Sequence, residues 1–221
     1  MSPAPKPRVL LMDLGNVTVR LRSAGFMERL RSHGDAARIP SDPWRLFLDP
    51  AFGFPDYERG RLDGPGFHAR LKERLGLNLG YAAWLGLWND YFEPNRPMEA
   101  LLARLRGQVR VWGLSNTNPE HLAHLKLHFR VLDSFEGITA SFEAGAAKPE
   151  PGIYAAALRA LGVGAGEVLY LDDVAEYIGA AGSMGIPSFH YTFNDAALKA
   201  RLLELGFNLP PLDGMSALAC S

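Results

Sequence analysis

One cysteine, Cys220, stands in a chain of 221 residues. No disulfide framework can form within the chain, which fits a reducing compartment. Charge of one sign is also missing: 23 Lys and Arg against 24 Asp and Glu leave a formal net charge of -1. That balance offers no basic footprint for nucleic acid and no polybasic patch for a membrane surface. Long apolar runs are absent near the start. The proline-rich segment Met1 to Arg8 meets only Val9-Leu10-Leu11-Met12 before Asp13 ends the run. Four residues are too few for a signal-peptide core or a membrane span, so the expected location is the cytoplasm. There is no internal repeat and no low-complexity segment. A hydrophobic content of 48% is ordinary for a globular protein, and the length suits one large domain or a core with a small cap.

Apolar runs that end on polar residues set the frame. Val9 to Met12 reads as a buried strand stopping on Asp13. Val109 to Leu114 reads as a second strand that ends at Ser115, Phe135 to Ala140 as a short third, Val168 to Leu171 as a fourth ending on Asp172-Asp173, and Ile186 to His190 as a further strand. Helices are expected between them at Met98–Leu105, Pro119–Leu127, Pro151–Leu161, Ala175–Met184 and Ala196–Leu205. Pro151 opens its helix and Gly162 lies just past the end. Asn194 or Asp195 caps the last one. Strands alternating with helices imply parallel βαβ units with right-handed crossovers. The stretch from Leu21 to Asn95 is too long for one crossover. It carries Phe26, Leu30, Trp84, Leu87, Trp88 and Tyr91 at helical spacing, and Pro40, Pro43, Pro50, Pro55 and Pro65 break it into short helices.

The expected fold is therefore α/β, a Rossmann-like parallel sheet with a small helical cap inserted after the first strand. Residues 1–20 and 96–221 form the core and residues 21–95 the cap. Chemistry in such open sheets gathers at the carboxyl edge. Four segments fall there: Asp13-Leu14-Gly15-Asn16-Val17, Leu114-Ser115-Asn116-Thr117-Asn118, Lys148-Pro149-Glu150-Pro151 and Leu171-Asp172-Asp173.

In this order the four segments resemble the haloacid dehalogenase superfamily. The closer resemblance is to its sugar-1-phosphate phosphatase branch, which also includes the phosphatase domain of soluble epoxide hydrolase. Asp-Leu-Gly-Asn-Val, Leu-Ser-Asn-Thr-Asn, and Glu58-Arg59-Gly60 ahead of Phe67 are similar to that branch's motifs. The resemblance implies that Asp13 is a nucleophile forming an aspartyl-phosphate. It implies that Ser115 and Asn116, with the backbone at Leu14 and Gly15, hold the phosphate. Lys148 would neutralise growing charge beside Asp13. Mg²⁺ would be held by Asp13 and Asp173, with Asp172 either a ligand through water or a partner of Lys148. The substrate implied is a small phosphorylated metabolite, with a sugar phosphate first among the choices.

Two positions depart from the family pattern. Most phosphatases of the superfamily carry an acid two residues after the nucleophile, where this chain has Gly15, a residue that can hold a backbone angle Asp tolerates poorly. Tyr177 stands where an Asn is common. These departures keep two alternatives open: a 2-haloacid dehalogenase, which needs no metal, and a phosphate-binding protein that has lost turnover. Some features read as ordinary structure. His121, His124 and His128 share a helical face and read as a solvated face. Trp84 and Trp88 read as cap core. Glu58 and Arg59 could reach the substrate or simply pair at the surface.

Overall fold

The computed structural model describes residues 6–22, 24–41 and 49–210. Most of the proline-rich start, Pro43 and Cys220 lie outside the described residues. In chain order the elements are β1 (Val9–Met12), β2 (Val19–Leu21), α1 (Ala24–Ser32), a 3₁₀ turn (Pro50–Phe52), α2 (Phe54–Glu58), α3 (Gly64–Leu75), α4 (Tyr81–Asn89) and β3 (Phe92–Pro94). The chain continues with α5 (Arg96–Leu105), β4 (Arg110–Ser115), α6 (Pro119–His128), β5 (Gly137–Ala140), α7 (Ser141–Ala144) and α8 (Pro151–Leu161). It closes with β6 (Val168–Asp172), α9 (Ala175–Ser183), β7 (Ser188–His190) and α10 (Asp195–Glu204).

Five strands form a parallel sheet in the order β5-β4-β1-β6-β7. β1 is central because all four of its residues are apolar and buried, as a strand covered on both faces requires. Alternation along β1 feeds two cores. Leu10 and Met12 join Leu101, Leu102, Leu105, Leu122, Leu198 and Leu202 on one face. Val9 and Leu11 join Ile153, Tyr154, Ala157 and Ala181 on the other. Met12 pairs with Gly113 of β4 and with Leu171 of β6. That register brings the carboxyl ends of β4, β1 and β6 side by side. After β1 the chain builds outward to β4 and β5, then returns to build β6 and β7 on the other side. The strand order thus reverses at β1, the crevice position where open sheets bind ligands.

Helix ends follow local chemistry. Pro151 stands at the first position of α8, and Gly162 closes it at φ 66°. Asn194, not Asp195, caps α10: its Oδ1 accepts from the Ala197 amide at 3.0 Å. The expectation of helices alone from Leu21 to Asn95 needs correcting at its two margins. β2 and β3 pair antiparallel, Val19 with Pro94 and Leu21 with Phe92, as a two-stranded neck. Each is three residues long, too short for a period-2 pattern to emerge.

Between the neck strands the helices share their own core of Phe26, Leu30, Tyr57, Phe67, Leu71, Leu75, Trp84 and Trp88. Phe67 is its centre. Its ring stacks on Tyr57 at 4.6 Å and meets Trp84, Trp88 and Phe54 at tilted or edge angles. Phe67→Ala should cost about 3–5 kcal/mol of stability by opening a cavity among rigid rings. Urea unfolding followed by tryptophan fluorescence measures it. A loss under about 1 kcal/mol would mean that the helical block repacks freely.

Candidate active site

Asp13 follows β1 directly, and its amide still bonds the Leu171 carbonyl of β6 at 2.9 Å. The carboxylate is thereby fixed to the sheet edge. Thr18, fully buried, donates its hydroxyl to the Asp13 carbonyl at 2.7 Å and closes the turn. The left-handed residue of that turn is Asn16, at φ 56°, while Gly15 has no such angle. The expectation that Gly15 serves an unusual backbone angle is therefore corrected. Asn tolerates the left-handed region better than most residues, so it takes that place. Asn16 also reaches across the edge, its Nδ2 donating to Asp173 Oδ2 at 3.0 Å.

Lys148 enters from the loop between α7 and α8 and is buried. Its Nζ lies 2.8 Å from Asp13 Oδ1 and 2.7 Å from Asp172 Oδ2. The ring of Tyr177 stands beside the ammonium, with its centroid 5.0 Å from Nζ. Asn116 holds the lysine backbone from both sides: the Lys148 amide donates to Asn116 Oδ1 at 2.7 Å, and Asn116 Nδ2 donates to the Lys148 carbonyl at 2.9 Å. The Asn116 side chain is thus a clamp on the lysine loop. Ser141 adds a second clamp, its hydroxyl joining both the amide and the carbonyl of Thr117.

Three carboxylates, those of Asp13, Asp172 and Asp173, offer oxygens within 4.8 Å of one another. Asp172 is already occupied. One oxygen takes Lys148 and the Tyr170 hydroxyl, and the other takes the Val174 amide at 2.8 Å. Of the two expectations for Asp172, the observed contact is the pairing with Lys148. Asp13 is only singly engaged. Burial pushes its carboxyl up to about 7 despite Lys148, and Asp172 and Asp173 add to the rise. Burial raises Asp173 as well, against the Asn16 bond. Lys148 is held charged by the two carboxylates, which outweigh its burial. Excess like charge beside two incompletely paired carboxylates is what a hard divalent cation relieves.

A cavity of about 170 Å³ lies against Leu14 and Gly15, the residues that follow Asp13. Leu14, Gly15, Ser115, Asn116 and Thr117 line its floor, while Phe54, Glu58, Trp88, Tyr91 and Phe92 come from the helical block and neck. A larger surface cleft, near 690 Å³, lies at the opposite edge of the sheet around Arg8 and Gln108, away from the carboxylates. The reading of three solvated histidines is corrected for His121, which is buried in the cavity wall. Its ring stacks on Trp88 at 4.6 Å, with Nε2 3.1 Å from the Trp88 carbonyl and Nδ1 3.1 Å from Asn118 Nδ2. Burial lowers its pKa to about 3. It is neutral, donating to Trp88 and accepting from Asn118. Its burial was not legible in the sequence, because the ring that covers it is that of Trp88, 33 residues earlier.

Tyr57 and Arg59 tie α2 to the sheet from two sides. Tyr57 donates its hydroxyl to Asn118 Oδ1 at 3.0 Å and also bonds Glu120. Arg59 Nε donates to Glu150 Oε1 at 3.0 Å. The possible surface pair of Glu58 with Arg59 is replaced by this bond, leaving Glu58 turned into the cavity. Gly60, at φ 68°, lies so close to the Phe142 carbonyl that a β-carbon would collide with it.

The profile of the haloacid dehalogenase-like hydrolases matches residues 24–185. The chain belongs to that family. The match begins after β1, so Asp13 enters the site through the geometry above. A curated relative, the sesquiterpene phosphatase astK of Aspergillus oryzae, is 29% identical over 156 residues, 70% of this chain and 74% of the relative. A crystal structure of the haloacid dehalogenase family enzyme BT-2542 of Bacteroides thetaiotaomicron, in complex with magnesium and inorganic phosphate, is 27% identical. Its TM-score is 0.71, with 83% of this chain and 93% of that one covered. The L-2-haloacid dehalogenase of Xanthobacter autotrophicus is 21% identical at a TM-score of 0.62, covering 93% of this chain and 85% of that one, a likeness of fold alone. The family is one of hydrolases, and its parallel sheet is the one described here. No helix among the described residues is long and apolar enough to cross a membrane.

Proposed function

We propose that this hydrolase is a Mg²⁺-dependent phosphatase of small phosphomonoesters, with Asp13 as nucleophile. The observation that carries the reading is the cluster of Asp13, Asp172 and Asp173 with Lys148 inserted between two of them. A dehalogenase needs no cation, and so crowded a set of carboxylates would be an unrelieved burden to it. The phosphatase relative and the magnesium and phosphate complex of the Bacteroides enzyme support the same choice.

Asp13 and Asp173 are the residues that would hold Mg²⁺, whose charge would help the phosphoryl group accept an anionic nucleophile. Asp13 attacks phosphorus in line, giving an aspartyl-phosphate that water then hydrolyses. Lys148 keeps the Asp13 oxygen in place and balances charge as it grows. Ser115, Leu14 and Gly15 on the cavity floor bind the non-bridging oxygens. Asn116 contributes by fixing Lys148. The block from residue 21 to 95 acts as a cap that closes this floor from water.

Away from the polar floor of Ser115, Asn116 and Thr117, and from Glu58 and His121, the cavity walls are apolar: Leu14, Leu21, Phe54, Trp88, Tyr91, Phe92 and Leu125. A polyhydroxylated sugar would leave hydroxyls unpaired against these walls, at a cost for each. We therefore place an apolar alcohol ahead of a sugar as the group esterified to phosphate. The terpenoid substrate class named for the Aspergillus relative agrees with this choice.

The test is phosphate release from p-nitrophenyl phosphate with Mg²⁺ and with a chelator, followed by alkyl and terpenyl phosphates against sugar phosphates. Release that needs Mg²⁺ and favours the apolar esters is expected. Absence of release from every ester would favour the reading of lost turnover, and release in chelator would remove the metal from the mechanism. Calorimetric titration should show that Asp173→Ala weakens Mg²⁺ binding by more than about tenfold, because one of only two incompletely paired carboxylates is gone. Unchanged affinity would place the ion elsewhere.

A further inference from the structure

The core has no acid two residues after Asp13, yet a phosphate ester of a plain alcohol leaves slowly unless its oxygen is protonated. In-line displacement puts attacking and leaving oxygens on opposite sides of phosphorus. With Asp13 on the sheet side, the leaving oxygen points into the cavity, toward the face supplied by α2. Glu58, the last residue of α2, lines that face together with Gly15 below it. Resting on the phosphatase reading, we propose that Glu58 is the catalytic acid and base of this site, delivered by the helical block in place of a side chain at position 15.

The backbone around Glu58 is held on both sides. Tyr57 is bonded to Asn118 and Glu120 at the head of α6. Arg59 is bonded to Glu150, two residues beyond Lys148, and Gly60 abuts α7. Glu58 itself makes no hydrogen bond or ion pair among the described residues. An unpaired carboxyl on a backbone so held, lining the cavity, is in position for a substrate oxygen. Its charged surroundings are Arg59 beside it, Lys148 and Asp13 below, and Tyr177 against the lysine, with Glu150 engaged by Arg59. Burial pushes Glu58 up to about 8, so it carries a proton at neutral pH, as an acid must.

His121, which shares the cavity, is no rival. Its two ring nitrogens are committed to Trp88 and Asn118.

The chemistry balances in two halves. Asp13 forms a bond to phosphorus, the ester P–O bond breaks with its electron pair on oxygen, and the Glu58 proton passes to that oxygen to release the alcohol. Glu58, now a carboxylate, then takes a proton from water as the water oxygen attacks phosphorus. The aspartyl P–O bond breaks, returning Asp13 as a carboxylate and releasing phosphate. Glu58 is again protonated.

The experiment is a series of alkyl and substituted phenyl monophosphates with wild type and Glu58→Gln. Wild type should depend weakly on leaving-group pKa. The variant should lose about two to four decades in kcat on alkyl phosphates, and less than about tenfold on 2,4-dinitrophenyl phosphate, whose oxygen leaves without a proton. Equal losses across the series would reduce Glu58 to a structural part and overturn the proposal. A steep dependence in wild type would overturn it too, whether or not the variant folds. Wild type that releases phosphate from no ester would instead sink the phosphatase reading.

Discussion

Asp13→Asn is expected to lower phosphate release by about four decades or more while the fold is kept, since an amide has the shape of the carboxylate but cannot attack phosphorus. The structure gives reasons why the fold should survive. The turn is held by backbone bonds and Thr18, none of which involves the Asp13 carboxylate. Lys148 retains Asp172 at 2.7 Å. The Asp13 carboxyl is also raised from 3.8 to about 7, so ionising it opposes folding. A raised carboxyl binds its proton more tightly in the folded state. In metal-free protein its contribution to stability is thus present below about pH 4 and is lost as pH rises toward 7. The Asn variant lacks that decline and should match or exceed wild-type stability at pH 8 in chelator. Phosphate release measures the first effect and urea midpoints the second. Wild-type-like turnover would end the nucleophile assignment.

Lys148→Met should damage both stability and activity. Nearly all of the lysine side chain is shielded from solvent, and its ammonium is shared by two carboxylates. Removing one partner of a buried charge group leaves the others uncompensated, at about 3–5 kcal/mol. Methionine fills a similar volume, so little of this loss would come from a cavity. The pH dependence separates charge from packing. With the cation gone, Asp13 loses the charge that lowers its carboxyl and binds its proton still more tightly in the folded state, so the loss should be largest at pH 8 and shrink toward pH 5. Urea unfolding in chelator at the two pH values tests this. A loss independent of pH would make Lys148 a packing residue. Turnover should fall by roughly two decades or more, because charge growing on the phosphoryl group then meets no fixed cation. Turnover within about threefold of wild type would remove Lys148 from the chemistry.

Much of the core was legible because its signals are local. Val9 to Met12 can bury four apolar residues only as an interior strand, and stopping on Asp13 already places a carboxylate at the sheet edge. Pro151 and Gly162 bracket α8 through backbone restrictions carried by the residues themselves. Asp13, Lys148, Asp172 and Asp173 were each marked by a strand end or a proline-restrained loop, and the structure draws these four together. The residues alone specify this frame: a parallel sheet, its carboxyl edge and the charged residues along it. Local bonding and alternate burial are enough to specify such features.

Tertiary structure decided which partner each of those residues takes. Asp172 pairs with Lys148 because β6 sets it beside both Lys148 and Tyr170. The Asn116 side chain takes as its partner the backbone of Lys148, 32 residues away. His121 moved from a solvated face to a buried wall because Trp88, 33 residues earlier, packs over it. Glu58 separates from its neighbour Arg59 because Glu150, 91 residues from that arginine, claims the guanidinium. All of these depend on contacts between segments far apart in the chain, where a small difference in packing selects among several chemically equal partners. Composition and spacing do not carry that choice; the docking of the helical block on the sheet makes it.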